Sequence, residues 1–419
     1  MPGDPRAIGG VPPAGTCTLA NGHGCVQDQD MEAVQIKPTP QTLQPKILIL
    51  VVSHGASHRR TAKALQTAFS AIAPAAPAEV VDALNLCTRW FRAYYNSYLI
   101  LLKHLPSLWG WIEGIQHKSQ ATGPGWLYRW GARPFFRFLR DAKPDIVIAT
   151  EVGMCELAVL LKHDYGERFF LAASCGMDVD RAWVRPEVDA FVVPPGDHAG
   201  QIVAAGAPAS KVHVTGMPVD PAFATLPDCQ SARQKLGLLP DLPVLLTLFG
   251  GAGFGNPLKI LPQIRKIRHP VQAVFITGRN PRLKQELKRH CQGRPHSKVL
   301  GWVNNIHEWM AAADLLISKP GATTVNEAIS AGLPMVAFDP LPGNEVRLAE
   351  CIEKWQVGRW ARHTGEISPI VNHLLSNAED RRRLRENALA MALPQSAYDA
   401  AEAILGSWQA QNMLAPLCD

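Results

Sequence analysis

A cation, a glycine turn, two hydroxyls and a carboxylate follow one another in Ser318-Lys319-Pro320-Gly321-Ala322-Thr323-Thr324-Val325-Asn326-Glu327-Ala328. The stretch reads as a strand end, a turn and a helix start, so Lys319, Gly321, Thr323 and Thr324 gather at a helix N-terminus. A phosphate is favoured there, because the first-turn N–H groups lack intrahelical partners and the peptide dipoles add. Glu327 lies about one turn further on, within reach of a ribose, whose two hydroxyls one carboxylate can accept together. Gly332-Leu333-Pro334, a second strand and a second polar loop, Pro342-Gly343-Asn344-Glu345, follow.

A further glycine-rich turn, Phe249-Gly250-Gly251-Ala252-Gly253-Phe254-Gly255, lies about 70 residues earlier, again between an expected strand and an expected helix. Glycines there let the backbone approach a diphosphate and aim its N–H groups at it. The spacing is not that of a dinucleotide fingerprint, and the next strand runs into Gly278-Arg279-Asn280 rather than an acidic residue, which argues against NAD. Asp178-Val179-Asp180 has the spacing of a metal-binding pair but reads as a loop, and no metal is expected.

These groups need strands and helices to hold them. Lys46–Val52 is a continuous apolar run, as a buried parallel strand requires, and it meets Ser53-His54-Gly55-Ala56-Ser57-His58 before a helix over Thr61–Ala73. Val80–Leu84, Pro144–Thr150, Arg168–Ala173, Ala190–Pro194 and Val212–Gly216 continue the first set of strands. Val244–Phe249, Val271–Thr277, Ser297–Gly301, Leu315–Ser318 and Met335–Phe338 form the second. Alternating β and α units in two halves predict an α/β fold with two doubly wound, Rossmann-like parallel sheets. The expected organisation is a flexible tail over 1–44, a first domain over 45–225, a second over 226–379 and terminal helices over 380–419, broken at Pro394.

Residues 86–140 interrupt the βα rhythm. Phe91, Tyr94, Tyr95, Tyr98, Leu102 and Leu105 recur at helical steps up to Pro106; Trp109–Ile115 follows, then a Gly/Pro loop and another basic, aromatic helix reaching Arg140. This window holds eight Lys/Arg against the single acid Glu113, and 13 of the chain's 30 aromatic residues. Its charge of +7 exceeds the +6 of the whole chain, so the remainder is about neutral. A basic, aromatic patch of this kind, including Trp90, Tyr94, Tyr98, Trp109, Trp111 and Trp126, suits an anionic membrane surface. Nucleic acid is disfavoured, since no binding motif accompanies it.

The 419 residues, 47% of them hydrophobic and 19% charged, form a globular chain. No apolar run reaches the roughly 18–20 residues of a membrane span. The start carries no cationic stretch followed by an apolar core, so no secretory signal is expected. Nine cysteines without paired spacing point to a reducing compartment.

The Lys319–Glu345 pattern resembles the donor-sugar half of glycosyltransferases of the two-Rossmann B fold. Within that fold the chain is most similar to the monogalactosyldiacylglycerol synthase and processive diacylglycerol glycosyltransferase family (glycosyltransferase family 28). Gly55-Ala56-Ser57-His58 resembles that family's glycine turn ending in His, with Ala56 and Ser57 in place of two usual residues. Val214–Phe223 resembles its interdomain segment. The likeness implies an inverting transferase that moves a hexose from a UDP-sugar to diacylglycerol or a similar membrane lipid, without metal, peripherally at the cytoplasmic face of a bacterial membrane. It implies a diphosphate between Gly250, Gly251, Gly253 and the second glycine turn, the base held by backbone groups around Val303, and the sugar hydroxyls met by Asn344 and Glu345. The family usually has Gln where Asn344 stands, which leaves the sugar open. His58 is the expected base, with Asp178, Asp180 and Glu151 as alternatives. The aromatic insert takes the place of the family's membrane-docking segment, and the terminal helices are expected to cross back onto the first domain. Rival readings are a transferase acting on a polyprenyl-linked peptidoglycan precursor, a hydrolysing nucleotide-sugar epimerase, and a non-catalytic, membrane-bound nucleotide-sugar sensor.

Overall fold

The computed structural model describes residues 44–52, 56–116, 123–177, 180–250, 257–293 and 296–414. The tail expected before residue 44 lies outside them. Two six-stranded, all-parallel sheets carry the fold. The first contains β1 (Ile47–Val51), β2 (Ala78–Asp82), β3 (Ile146–Ala149), β4 (Phe170–Ser174), β5 (Ala190–Val193) and β6 (Val212–Val214), in the order β2-β1-β3-β4-β5-β6. The second contains β7 (Val244–Leu248), β8 (Gln272–Ile276), β9 (Ser297–Leu300), β10 (Leu315–Ser318), β11 (Met335–Phe338) and β12 (Gly358–Ala361), in the order β12-β11-β10-β7-β8-β9. The expected pair of doubly wound sheets is therefore present. Helices cover both faces of a parallel sheet, so its strands read as unbroken apolar runs; every residue of β1, β3, β7 and β10 is buried.

Three local expectations shift. β2 ends at Asp82, and Ala83–Leu86 turn as a 3₁₀ helix rather than extending the strand. The helix expected to reach Arg140 is two, α4 (Gly125–Gly131) and α5 (Arg133–Ala142), because Pro134 fits only the first turn of a helix and forces a new start. β12 was not anticipated: Gly-Arg-Trp-Ala has no alternation, and the strand exists because Gly358 lies against β11 so closely that a Cβ would overlap the Met335 carbonyl.

The first sheet is backed by α1 (Ala56–Ile72) and α6 (Val152–Tyr165), and the 86–140 insert adds α2 (Arg89–His104) and α3 (Pro106–Gln116) beside α4 and α5. The insert is built in two layers. Phe91, Tyr128, Phe135 and Phe136 are buried in the core of the first sheet, with the Phe91 and Tyr128 rings 5.2 Å apart. Trp111 and Trp126, at 65% and 66% exposure, face outward together with Ile100, Leu105, Leu108 and Ile115.

Several contacts tie the lobes together. The terminal helix Ser396–Leu414 packs against α1, placing Ala397, Ala400, Ala401, Ile404 and Trp408 among Ile47, Ile49, Leu65 and Phe69. Glu113 of α3 also pairs with Arg347 at 2.5 and 3.1 Å. That contact is close enough that Gly343, at φ 95°, tolerates no side chain: a Cβ would overlap the Glu113 carboxylate.

Candidate active site

Each sheet has a point where its strand order reverses, and ligands of open α/β sheets lie outside the carboxyl ends of the strands at such a point. In the second sheet it falls between β7 and β10, which pair in register with Leu248 opposite Ser318. The two glycine turns, far apart in sequence, therefore leave neighbouring strands. Gly250 has φ 70°; Gly251 and Gly253 lie outside the described residues. After β10, Gly321 is the N-cap of the Ala322–Ser330 helix, and no side chain caps that helix.

A cavity of about 400 Å³ opens over this terminus, lined by Gly250, Val303, Lys319, Gly321, Thr323, Thr324, Asn344 and Glu345 among others. Lys319 is buried, and its Nζ has no hydrogen-bond partner among the described residues. Glu345 also lies deep: burial raises its carboxyl above the ordinary range, while Lys319 and a 2.7 Å hydrogen bond from the Leu341 N–H draw it back. Lys319, the helix terminus without a side-chain cap and the hydroxyls of Thr323 and Thr324 together form a wall whose chemistry suits an anion.

Glu327 projects from the second turn of that helix and is almost wholly buried. Burial pushes its carboxyl up to about 7 despite the Arg60 guanidinium, which donates to its Oε1; Oε2 has no partner among the described residues. Arg60 belongs to α1, in the other lobe. Beside it, Ser57 Oγ and Thr323 Oγ1 share a 2.5 Å hydrogen bond. The Arg60 guanidinium also stands 5.8 Å from the Trp302 ring centroid, and Arg279 covers the same ring at 4.6 Å. Sequence reasoning missed Arg60. Its signal was the Arg59-Arg60 pair near the N-terminus of α1, where a cation opposes the helix dipole and needs an anion from elsewhere.

In the first sheet the reversal falls between β1 and β3. His58, at the start of α1, and Glu151, at the end of β3, meet there. His58 Nδ1 lies 2.7 Å from the Thr150 carbonyl oxygen. A carbonyl only accepts, so Nδ1 carries the proton, and in the neutral ring Nε2 is left with a lone pair. Glu151 is committed to structure: it N-caps α6 through the Met154 N–H at 3.1 Å and accepts the Tyr95 hydroxyl at 2.8 Å. Burial and Glu151 together hold the Tyr95 hydroxyl well above its ordinary pKa. Asp178 lies outside the described residues; Asp180 borders the same region. Among the described residues no group of three or more His, Cys, Asp or Glu could hold a metal ion.

A second cavity, of about 580 Å³, lies under the insert and is lined by Tyr94, Tyr95, Tyr98, Leu101, Leu102 and Trp109. It shares His58, Tyr98, Leu102, Asn344 and Glu345 with the first, so His58 stands where a polar and an aromatic chamber meet. Of the aromatic residues singled out from sequence, Tyr94, Tyr98 and Trp109 line this chamber. Trp111 and Trp126 lie on the outer surface, and Trp90 packs on Trp130 at 5.0 Å. Among the described residues no helix is long and apolar enough to cross a membrane.

Residues 58–219 match the monogalactosyldiacylglycerol (MGDG) synthase family model, and residues 257–347 match the glycosyltransferase family 28 C-terminal domain. The processive diacylglycerol beta-glucosyltransferase of Bacillus cytotoxicus is 27% identical over 384 residues, 89% of this chain and 96% of that protein. The enzyme of the same name from Staphylococcus epidermidis is 29% identical over 251 residues, 60% of this chain; the match spans 64% of that relative's length. Anabaena HepE, solved in complex with UDP-glucose, superposes with a TM-score of 0.51 over 88% of this chain and 100% of its own, and at 15% identity the likeness is one of fold. One family model matches each lobe and these relatives are 27–29% identical, so the chain is similar to monogalactosyldiacylglycerol synthases and processive diacylglycerol glucosyltransferases.

Proposed function

We propose that this chain is an inverting glycosyltransferase that transfers a hexose from a UDP-sugar to a diacylglycerol-type lipid at the cytoplasmic face of a bacterial membrane. The position of His58 carries the proposal, between a chamber suited to a nucleoside diphosphate and one suited to a lipid. The diphosphate lies on the Ala322–Ser330 terminus beside Lys319, the ribose on Glu327, the base near Val303, and the sugar hydroxyls against Asn344 and Glu345. The acceptor hydroxyl gives its proton to His58 Nε2 as its oxygen bonds to the anomeric carbon. The bond from that carbon to the phosphate oxygen breaks, and UDP leaves with the electron pair, its charge met by backbone N–H groups and Lys319. These groups supply the electrostatic stabilisation within the protein itself, so the proposed mechanism calls on no metal. Glu151, already holding an N–H and a hydroxyl, orients the acceptor side rather than taking the proton.

The exposed Trp111, Trp126 and Trp130, with the exposed Arg133 and Arg137 of the same insert, form the membrane-facing surface, since indole rings favour the headgroup boundary and each basic residue near an anionic surface gains about 1 kcal/mol. A hydrolysing epimerase would have no use for the aromatic chamber. Incubation with radiolabelled UDP-sugars and mixed lipids, followed by chromatography, tests the reading: a labelled glycolipid is expected, and its absence with every donor would overturn it.

A further inference from the structure

Arg60 is a cation held in the donor chamber by a carboxylate that this chain is proposed to need for something else. Glu327 is buried, Arg60 holds only its Oε1, and Oε2 has no partner among the described residues. A ribose that presents two hydroxyls needs both oxygens. A hydroxyl arriving at Oε1 competes there with the guanidinium, which lies inside the cleft at 31% exposure beside the Trp302 ring. An unpaired guanidinium in such a place seeks the nearest anion. In the donor reading the ribose is joined through one carbon to a phosphate on the helix terminus of Thr323 and Thr324, and Arg60 lines the same cavity as those two residues.

From this geometry, and resting on the donor-site reading above, we infer that Arg60 is a further diphosphate-binding residue, a guanidinium from the first lobe that exchanges Glu327 for the diphosphate as the nucleotide binds. Its fork of N–H donors suits phosphate oxygens. It contacts the group whose charge grows as the sugar–phosphate bond breaks, so it stabilises the leaving nucleotide. Ser57, bonded to Thr323 one helical turn before Arg60, makes the same crossing between lobes. Donor binding thereby draws α1, and with it His58, onto the sugar.

Calorimetric titration of the full chain with UDP, uridine and inorganic pyrophosphate separates this role from a merely structural one. For Arg60→Ala, UDP affinity should fall about tenfold to a hundredfold, pyrophosphate affinity should fall less because without a ribose Glu327 still detains the guanidinium, and uridine should hold or improve, in keeping with loss of a charge-assisted hydrogen bond. Arg60→Lys should recover part of the loss, since charge remains without the fork. Glu327→Gln provides an independent arm: uridine binding should weaken while pyrophosphate binding holds or improves, because the guanidinium is no longer detained. Equal losses of uridine and UDP in Arg60→Ala, or no loss, would overturn this inference alone. A wild-type protein that binds no UDP would overturn the donor reading and the inference with it.

Discussion

The two lobes place their chemistry at the same architectural point and build it from opposite materials. At the β7/β10 reversal the functional groups come from the backbone and from residues close in sequence: a glycine turn, a free helix terminus, Lys319, Thr323, Thr324 and Glu327. At the β1/β3 reversal they are side chains brought from distant elements: His58 from α1, its carbonyl partner from Thr150, and a chamber walled by the α2 and α3 insert. An anion site can be written locally because peptide N–H groups and dipoles need only a turn and a helix start. A proton-transfer site needs one ring held in one tautomer by a group elsewhere in the fold, and a greasy acceptor needs a chamber that no single element encloses.

If that contrast is right, each side can be disabled without the other. The largest effect is expected for His58→Ala, which should lower kcat by roughly 10²- to 10⁴-fold while leaving UDP affinity near wild type; steady-state kinetics with calorimetry decide it, and full turnover would remove His58 from the mechanism. Glu327→Ala should do the reverse, costing about 1.5–3 kcal/mol of UDP binding, or roughly tenfold to a hundredfold in affinity; unchanged binding would mean the ribose lies elsewhere.

A pH series sharpens the same point. With its pKa in the free protein pushed up to about 7, the Glu327 carboxyl stays largely protonated below that pH, whereas the ribose hydroxyls need the ionised form. UDP affinity should therefore rise with pH up to about 7 and then level off, and Glu327→Gln should flatten the profile. Because the folded pKa is raised, the contribution of this group to stability has the opposite sign: it is present at low pH and lost as pH rises through about 7.

Smaller effects fall on the insert. Trp111→Ala combined with Trp126→Ala should weaken sedimentation with anionic vesicles and leave UDP binding intact, since both rings are exposed; retained vesicle binding would separate the insert from the membrane. Glu113→Gln should cost about 1 kcal/mol of thermal stability or less, by loosening the half-buried pair with Arg347; an unchanged melting temperature would show that the pair contributes nothing.

The same local-versus-distant division governs what could be read from the chain alone. The strands were legible because parallel strands buried on both faces are continuous apolar runs, and β12 was not, because one small glycine rather than a run lets it pair. The donor loop was legible because its parts are adjacent in sequence. Arg60 with Glu327, and Ser57 with Thr323, join residues 267 and 266 positions apart, and nothing periodic links them. The helices of the insert followed from their spacing. Which aromatic residues line the chamber did not, since Trp90 stacks on Trp130 while Trp109 turns inward.

The Ser396–Leu414 helix, packed on β1 and α1, carries one more consequence. Domains ordinarily fold in the order they are synthesised. Here β1 has to wait for Trp408 and its neighbours, far downstream, before its own interior is sealed. The nascent first lobe therefore presents a greasy slot throughout translation of the second, and His58, at the start of α1, reaches its finished setting only after the Ser396–Leu414 helix has emerged.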